Sequence, residues 1–215
     1  MKVGNLTGMD LILVRHGQSQ NNATQEGILN SPLTSLGHQQ AESVGRAVAA
    51  LKPEVIASGS LQRALQTAWA TAEQVNLPIE VWNHAHEVRL KSGYDGLHID
   101  EMYQRFPSAI FNKKDMVNDR WQHTSDNSIE RARTRATTLL DNFWEKYLGK
   151  RVAVFLHGHL NRLIIQSILG PSTFGRIHIR QPNACINRFI FEDEHIHVHS
   201  ISDVSHLTQD GIKIT

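Results

Sequence analysis

The sequence predicts an α/β fold, a three-layer α/β/α sandwich around a mostly parallel central sheet. Three observations lead there. Short, fully apolar runs such as Leu11-Ile12-Leu13-Val14 and Val152-Ala153-Val154-Phe155-Leu156 have the unbroken hydrophobicity of strands buried on both faces. Stretches with an apolar residue every three or four positions lie between such runs. Strand, helix, strand, helix and strand alternate from Asp10 to Trp82, the order that builds parallel strands with crossover helices on the sheet faces.

Each element follows from its residues. Asp10 to Val14 is the first strand, ended by polar residues and Gly17. After a polar stretch, Pro32-Leu33-Thr34 opens a helix with Thr34 as N-cap, and Ala41, Val44, Ala47, Val48 and Leu51 form its apolar stripe. Pro53 ends it, and Glu54 to Ala57 is a second strand. From Leu61 the spacing of Ala64, Leu65, Ala68, Ala72 and Val75 is again helical. Pro78 interrupts, and Ile79 to Trp82 is a third strand.

Residues His84 to Asn127 break the rhythm. They are polar, rich in aromatics and contain Gly93, Gly96 and Pro107, which predicts loop, a short helix near Ile99 to Arg105, and more loop. Such a segment is too long for a plain connection and is expected to be either a lid over a functional site or a surface insertion. Ser128 then caps a long helix with Ile129, Ala132, Ala136, Leu139 and Phe143 on one face. Arg151 to Leu156 is the clearest strand, followed at once by His157-Gly158-His159 and a helix from about Leu160 to Leu169, stopped by Gly170-Pro171. Ala184 to Phe191 and Ile196 to Ile201 complete the sheet, joined by the acidic turn Glu192-Asp193-Glu194. With no internal repeat and no linker, residues 1–215 are expected to form a single domain with 84–127 as its lid or insertion.

Composition narrows the function. Apolar residues make up 40% and charged residues 20% of the 215, an ordinary soluble composition with enough chain for a full core. The 22 basic and 21 acidic residues leave a net charge of +1, so no basic field for nucleic acid is present, while a local cationic pocket for a small anion remains compatible. The single cysteine, Cys185, excludes an intramolecular disulfide, argues against a thiolate metal cage and suits a reducing compartment. Met1 to Met9 lacks a signal-peptide hydrophobic core, and the longest apolar runs are too short to span a bilayer. A cytoplasmic protein with neither nucleic-acid nor membrane partner is expected; oligomeric state leaves no mark on the sequence.

Two histidines stand at equivalent places: His16 follows the first strand, and His157 follows the strand ending at Leu156. Arg63 falls in the first turn of the helix after the second strand. Ligands of open α/β sheets bind beyond the carboxyl ends of the strands, so all three are expected at one sheet edge. That set suits a phosphate monoester. Guanidinium groups hold its dianion, a neutral imidazole attacks phosphorus, and flanking arginines disfavour the imidazolium. The second ring nitrogen of His16 needs an acceptor, for which a backbone carbonyl in the turn at Gly17 would serve. A carboxylic acid must protonate the leaving oxygen. Such a reaction consists of positioning and electrostatics.

Leu13-Val14-Arg15-His16-Gly17-Gln18-Ser19-Gln20-Asn21-Asn22 resembles the Arg-His-Gly motif of the histidine phosphatase superfamily, the phosphoglycerate mutase-like proteins. Pro32 to Ala41 resembles that family's first helix start, Ser58-Gly59-Ser60-Leu61-Gln62-Arg63-Ala64-Leu65-Gln66-Thr67-Ala68 its second arginine motif, and His157-Gly158-His159 its second histidine motif, usually His-Gly-Gly. Ser202-Asp203-Val204-Ser205-His206-Leu207 is similar to a common ending of the phosphatase branch. Several motifs in order are far more specific than one. The resemblance implies the phosphoglycerate mutase-like fold, with His16 as the phosphorylated nucleophile. Arg15, Arg63 and His157 form the phosphate pocket, Asn22 is a further donor, and no metal or cofactor is needed. It also implies a general acid on Glu87 to Gly96. Glu87 stands nine residues before Gly96 where the usual pattern has eight, which makes Asp95 the reserve. Asn21 to Leu33 does not resemble the corresponding mutase segment, so a phosphatase acting on a small phosphorylated substrate is expected. A phosphomutase and a non-catalytic phosphate-binding member of the fold are the alternatives.

Other residues invite blander readings. His195, His197 and His199 alternate with Ile196 and Val198 as polar residues on the solvent face of a strand do. The same spacing could hold a metal, as could His84 with His86 or His157 with His159, but no carboxylate cluster lies at ligand spacing nearby. Arg162 reads as a helix-surface or ion-pair residue rather than a phosphate ligand, the four tryptophans as packing, and Cys185 as buried apolar filler.

Overall fold

The structure, a computed structural model, describes residues 8–192 and 194–215. Most of the Met1–Met9 stretch, and Asp193 of the acidic turn, lie outside the described residues. In chain order the elements are β1 (Asp10–Arg15), α1 (Gln20–Thr24), α2 (Ser35–Ala50), β2 (Val55–Gly59), α3 (Gln62–Val75) and β3 (Ile79–Trp82). The insertion contributes β4 (Tyr94–His98), α4 (Ile99–Arg105), β5 (Ala109–Ile110), β6 (Met116–Val117) and β7 (Arg120–His123). There follow α5 (Ile129–Tyr147), β8 (Arg151–Leu156), α6 (Gly158–Leu169), β9 (Ile186–Glu192), β10 (His195–Asp203) and α7 (Ser205–Gln209).

Seven strands form the central sheet in the order β10-β9-β1-β8-β2-β3-β5. β1, β8, β2, β3 and β5 run parallel, while β9 pairs antiparallel with β1 and β10 antiparallel with β9. The alternation of side chains along a strand explains why β1 is apolar throughout. Leu11 and Leu13 point into one core with Val152, Val154, Phe143 of α5 and Ile164 of α6. Ile12 and Val14 point into the other with Phe155, Val44 of α2 and Leu65 of α3. The expected three layers are therefore present, and each such side chain removed from water stabilises the fold by roughly 1.5–3 kcal/mol.

Local signals behave as their chemistry requires. The Thr34 hydroxyl accepts the Gly37 N–H at 3.0 Å and caps α2, and the Ser128 hydroxyl accepts the Arg131 N–H at 3.2 Å and caps α5. At the amino end of the sheet, the buried Asp10 carboxylate accepts from Arg151 Nε at 2.5 Å and Arg188 Nη2 at 2.8 Å, tying β1 to β8 and β9. Its pKa is lowered: burial pushes it up, but the two guanidinium partners outweigh that cost.

The insertion corrects the reading of loop, helix and loop. The helix is where the sequence placed it, but β4, β7 and β6 form a separate antiparallel sheet and β5 extends the central one beside β3. Fully buried Trp121 on β7 packs edge-on against Phe111 and shares a core with Leu97, Met102 and Phe106. The segment thus has apolar contacts continuous with the main core. A second difference concerns β10. Ile196 and Val198 are 45% and 47% exposed, so neither face of that strand is covered there.

Candidate active site

Strand register decides which residues meet. Arg15 at the end of β1 lies beside Leu156 at the end of β8, Ser58 of β2 beside Phe155, and Gly59 beside Trp82 at the end of β3. Four parallel strands therefore finish at a common edge, with neighbours about 4.8 Å apart. The residues just beyond them (His16, Arg63, Glu87 and His157) are brought together although they are far apart in sequence. With Arg15 and Asn22, five of the six predicted site residues line a cavity of about 660 Å³, and His157 sits beneath it.

His16 is almost completely buried, and its Nδ1 lies 2.7 Å from the carbonyl oxygen of Gly17. The carbonyl can only accept, so Nδ1 carries the proton and Nε2 keeps its lone pair. Arg63 Nε donates to that Nε2 at 3.2 Å, and Arg63 Nη1 donates to the Leu29 carbonyl at 2.8 Å. Burial, then the Arg63 and Arg15 guanidinium groups, hold the His16 pKa well below its ordinary value, so the ring is neutral at pH 7. The turn carrying it approaches α2 closely. A Cβ on Gly17 would lie 2.4 Å from the Gly37 carbonyl oxygen, and one on Gly37 would lie 2.0 Å from that of Gln18, which is why both positions are glycine.

His157 is fully buried and its ring centroid lies 5.3 Å from that of His16. Burial and Arg63 keep it neutral, and neither ring nitrogen has a hydrogen-bond partner among the described residues. Buried polar atoms are rarely left in that condition unless a ligand completes them. The Nε of Arg15 is similarly unpartnered, while its Nη1 donates to the Gln181 carbonyl. Asn22 offers its Oδ1 to Ser19 N–H and to Asn183 Nδ2, each at 3.2 Å, which leaves its amide donors for the cavity.

Glu87 closes the far side. One carboxylate oxygen accepts the N–H groups of Val88 at 2.8 Å and Leu160 at 3.2 Å, and the other accepts that of His159 at 3.3 Å. Helix α6 begins at His157 without a side-chain cap of its own, so Glu87 satisfies its first N–H groups from across the pocket. Burial raises the Glu87 pKa, but the His159 side chain, the neighbouring His157 and the Val88 N–H outweigh it and hold the group well below the ordinary carboxylate range. Asp95, the reserve, is exposed on β4 opposite Gln122 and does not line the cavity.

The structure adds residues the sequence reading passed over. Asn183 Nδ2 donates to the His16 carbonyl at 3.0 Å, and Thr67 Oγ1 accepts the Gly17 N–H at 3.1 Å, so both fix the turn. Asn183 lies in no periodic pattern that could have marked it, while Thr67 falls inside the second arginine motif without a part assigned to it. Tyr94 lines the cavity with a buried hydroxyl that has no partner among the described residues, and burial raises its pKa. Arg162, read as a helix-surface or ion-pair residue, is half-buried in the cavity wall and hydrogen-bonds His178 at 3.3 Å instead. Its position on α6 could not be assigned to the site before the segment facing that helix was placed. Among the described residues, no group of three or more His, Cys, Asp or Glu side chains is arranged to hold a metal ion, and no helix is long and apolar enough to cross a membrane.

Residues 11–204 match the sequence profile of the histidine phosphatase superfamily, branch 1. The chain belongs to that superfamily. It is 28% identical over 205 residues to a metal-independent phosphoserine phosphatase of Arabidopsis thaliana, covering 94% of this chain and 84% of that protein. It is 26% identical to a probable phosphoglycerate mutase, GpmB, of Citrobacter koseri, covering 93% and 95%. Among solved structures, a phosphoglycerate mutase from Bacillus anthracis superposes with a TM-score of 0.67 at 20% identity, covering 96% of this chain and 98% of that one. The histidine phosphatase fold is thus common to relatives whose names divide between hydrolysis and transfer.

Proposed function

We propose that this histidine phosphatase superfamily member is a metal-independent phosphomonoesterase working through a phosphohistidine on His16. One observation carries the reading. Nδ1 of His16 is held at 2.7 Å by the Gly17 carbonyl while Nε2 meets Arg63 in a cavity whose opposite side is Glu87. A nucleophile with its tautomer set, a guanidinium beside it and an acid across from it are the parts a phosphoryl transfer uses.

In the first step the Nε2 lone pair attacks phosphorus, the bond from phosphorus to the ester oxygen breaks, and that oxygen takes the proton of Glu87. Arg15, Arg63, His157 and Asn22 surround the transferred group. In the second step water attacks phosphorus, Glu87 takes its proton, and the N–P bond breaks to return neutral His16 and inorganic phosphate. Hydrogen bonds hold Glu87 as a carboxylate, but a phosphate dianion beside it raises its proton affinity, so the substrate itself favours loading of the acid. Val88, Arg89 and Tyr94 at the base of the 84–127 insertion form part of the substrate's enclosure. The lone Cys185 supports a reducing, cytoplasmic setting.

The test is rapid quenching at high pH with a labelled aryl phosphate. The expected result is an acid-labile, alkali-stable label on His16, phosphate release unaffected by chelators, and inhibition by vanadate. No label on His16 during turnover would overturn the reading. The mutase reading, favoured by likeness to the probable phosphoglycerate mutase, predicts dependence on a bisphosphorylated primer and retention of phosphate in organic form.

A further inference from the structure

The cavity holds more positive charge than one phosphoryl group needs. Arg15, Arg63, Arg89, Arg162 and Arg180 line it, and Glu87 is its only carboxylate side chain among the described residues. Arginine ion pairs in the described protein are Arg46–Asp210, Arg135–Asp126, Arg151–Asp10 and Arg188–Asp10, and none involves the cavity. Arg15 and Arg63 lie against His16 and are used there. Arg89 stands over the Tyr94 ring, its Cζ 5.6 Å from the centroid. Arg162 and Arg180 are left on the wall made by α6 and the segment after it, without an anionic partner. Gathering like charges in a concave, partly dehydrated wall costs free energy unless an anion arrives to offset it.

The wall is held in place. Gln166 Nε2 of α6 donates to the Ile177 carbonyl at 2.9 Å, the Ser202 hydroxyl donates to the Arg180 carbonyl, and Arg15 Nη1 donates to the Gln181 carbonyl. Arg162 Nη1 lies 3.3 Å from His178 Nδ1, which directs that guanidinium toward the same segment. These cations therefore stand on backbone tied to the phosphate-binding Arg15. We propose that Arg162 and Arg180, with His178, form a subsite for a second anionic group. The substrate is then a small phosphomonoester carrying a carboxylate or a further phosphate beyond its scissile group. This inference rests on the phosphomonoesterase reading and deepens it.

Phosphonates, whose P–C bond is not hydrolysed, separate binding from chemistry. Calorimetry would compare propylphosphonate with 3-phosphonopropionate and propane-1,3-bisphosphonate on the full chain, with turnover of 2-hydroxyethyl phosphate and phosphoglycolate measured alongside. A charge-assisted contact predicts that a second anion tightens binding roughly tenfold to hundredfold, with the tighter of the two dianion-bearing probes identifying carboxylate or phosphate as the preferred group. In Arg162→Ala and Arg180→Ala that advantage should fall by about tenfold or more, read as the ratio between charged and uncharged probes. Arg180 is exposed, so its variant carries the test if Arg162→Ala does not fold. Equal affinity for all three phosphonates, or an unchanged ratio in the variants, overturns the subsite while leaving the hydrolase reading to its own assay. Discriminating binding without turnover of either ester keeps the subsite and overturns the hydrolase reading.

Discussion

His16 Nδ1 and the carbonyl oxygen of Gly17, 2.7 Å apart, make the tautomer of this imidazole a property of the backbone rather than of another side chain. Nothing that titrates near neutrality supports this ring from behind. Its orientation is therefore insensitive to pH, and its reactivity depends on what faces Nε2.

Removing the ring should stop the reaction without unfolding the protein. His16→Ala is expected to lower phosphate release from an aryl phosphate by roughly 10³-fold or more, as when other covalent nucleophiles are deleted. Circular dichroism should remain native. Turnover near the native level in that variant would exclude His16 as nucleophile.

The acid assignment separates two carboxylates by position. Glu87→Gln should reduce turnover of an alkyl ester by roughly 10²–10⁴-fold, with a smaller loss for a nitrophenyl ester whose leaving oxygen needs no proton. Asp95→Asn, on the exposed side of β4, should leave both esters near native rates. Comparing the two esters in each variant checks this, and the reverse order would reassign the role.

Stability should fall as the solution is acidified, well before the carboxylates titrate. Burial, then Arg135, lowers the His86 pKa to about 4, and burial, then His86, lowers that of His123 to about 3. Both are ordinary, near 6.5, in the unfolded chain. Above that pH neither state is protonated and the shift has no effect. Between pH 6.5 and about 4 the unfolded chain binds protons that the folded one refuses, at up to about 1.4 kcal/mol per pH unit for each histidine. His16 and His157 are depressed in the same direction. Asp10, Asp126 and Glu87 act lower: their folded-state values are depressed, so their contribution is lost only as pH falls past the ordinary carboxylate range. Thermal melts from pH 7 to 4.5 should show a steady decline in Tm; a flat profile over that interval would contradict the assignment.

The base of the insertion should depend on one guanidinium. Arg135 Nε and Nη2 donate to the buried Asp126 carboxylate at 2.7 and 2.9 Å, and its Nη1 donates to the carbonyls of His84 and His86. Arg135→Ala leaves that carboxylate without its cation and should cost about 3–5 kcal/mol by urea unfolding. Arg135→Lys should recover little, because a single ammonium cannot make the forked contact.

How much was legible can be argued residue by residue. β1 and β8 announce themselves because strands buried on both faces are written in near-continuous apolar residues, β3 because Ile79 and Val81 alternate with Glu80 and Trp82, and α2, α3 and α5 because their apolar spacing is regular. His16, Arg63, Glu87 and His157 could be gathered at one edge because parallel strands deliver their following residues there. The small sheet was illegible for a physical reason. β6 is two residues long, Gly96 interrupts β4, and β7 turns His123 inward where alternation leads one to expect an apolar residue. Arg162 and Asn183 carry no periodic or motif signal, since their parts are set by what folds against them from distant segments.

β8 lies between β1 and β2, although about a hundred residues separate it from β2 along the chain. A ribosome that has released only the first two-thirds of the polypeptide has therefore delivered β1 on one side and β2, β3 and β5 on the other, without the strand that joins them. The backbone N–H and C=O groups along the facing edges of β1 and β2 must stay unpaired until Arg151–Leu156 emerges, which makes late synthesis the interval when this protein most needs protection from aggregation.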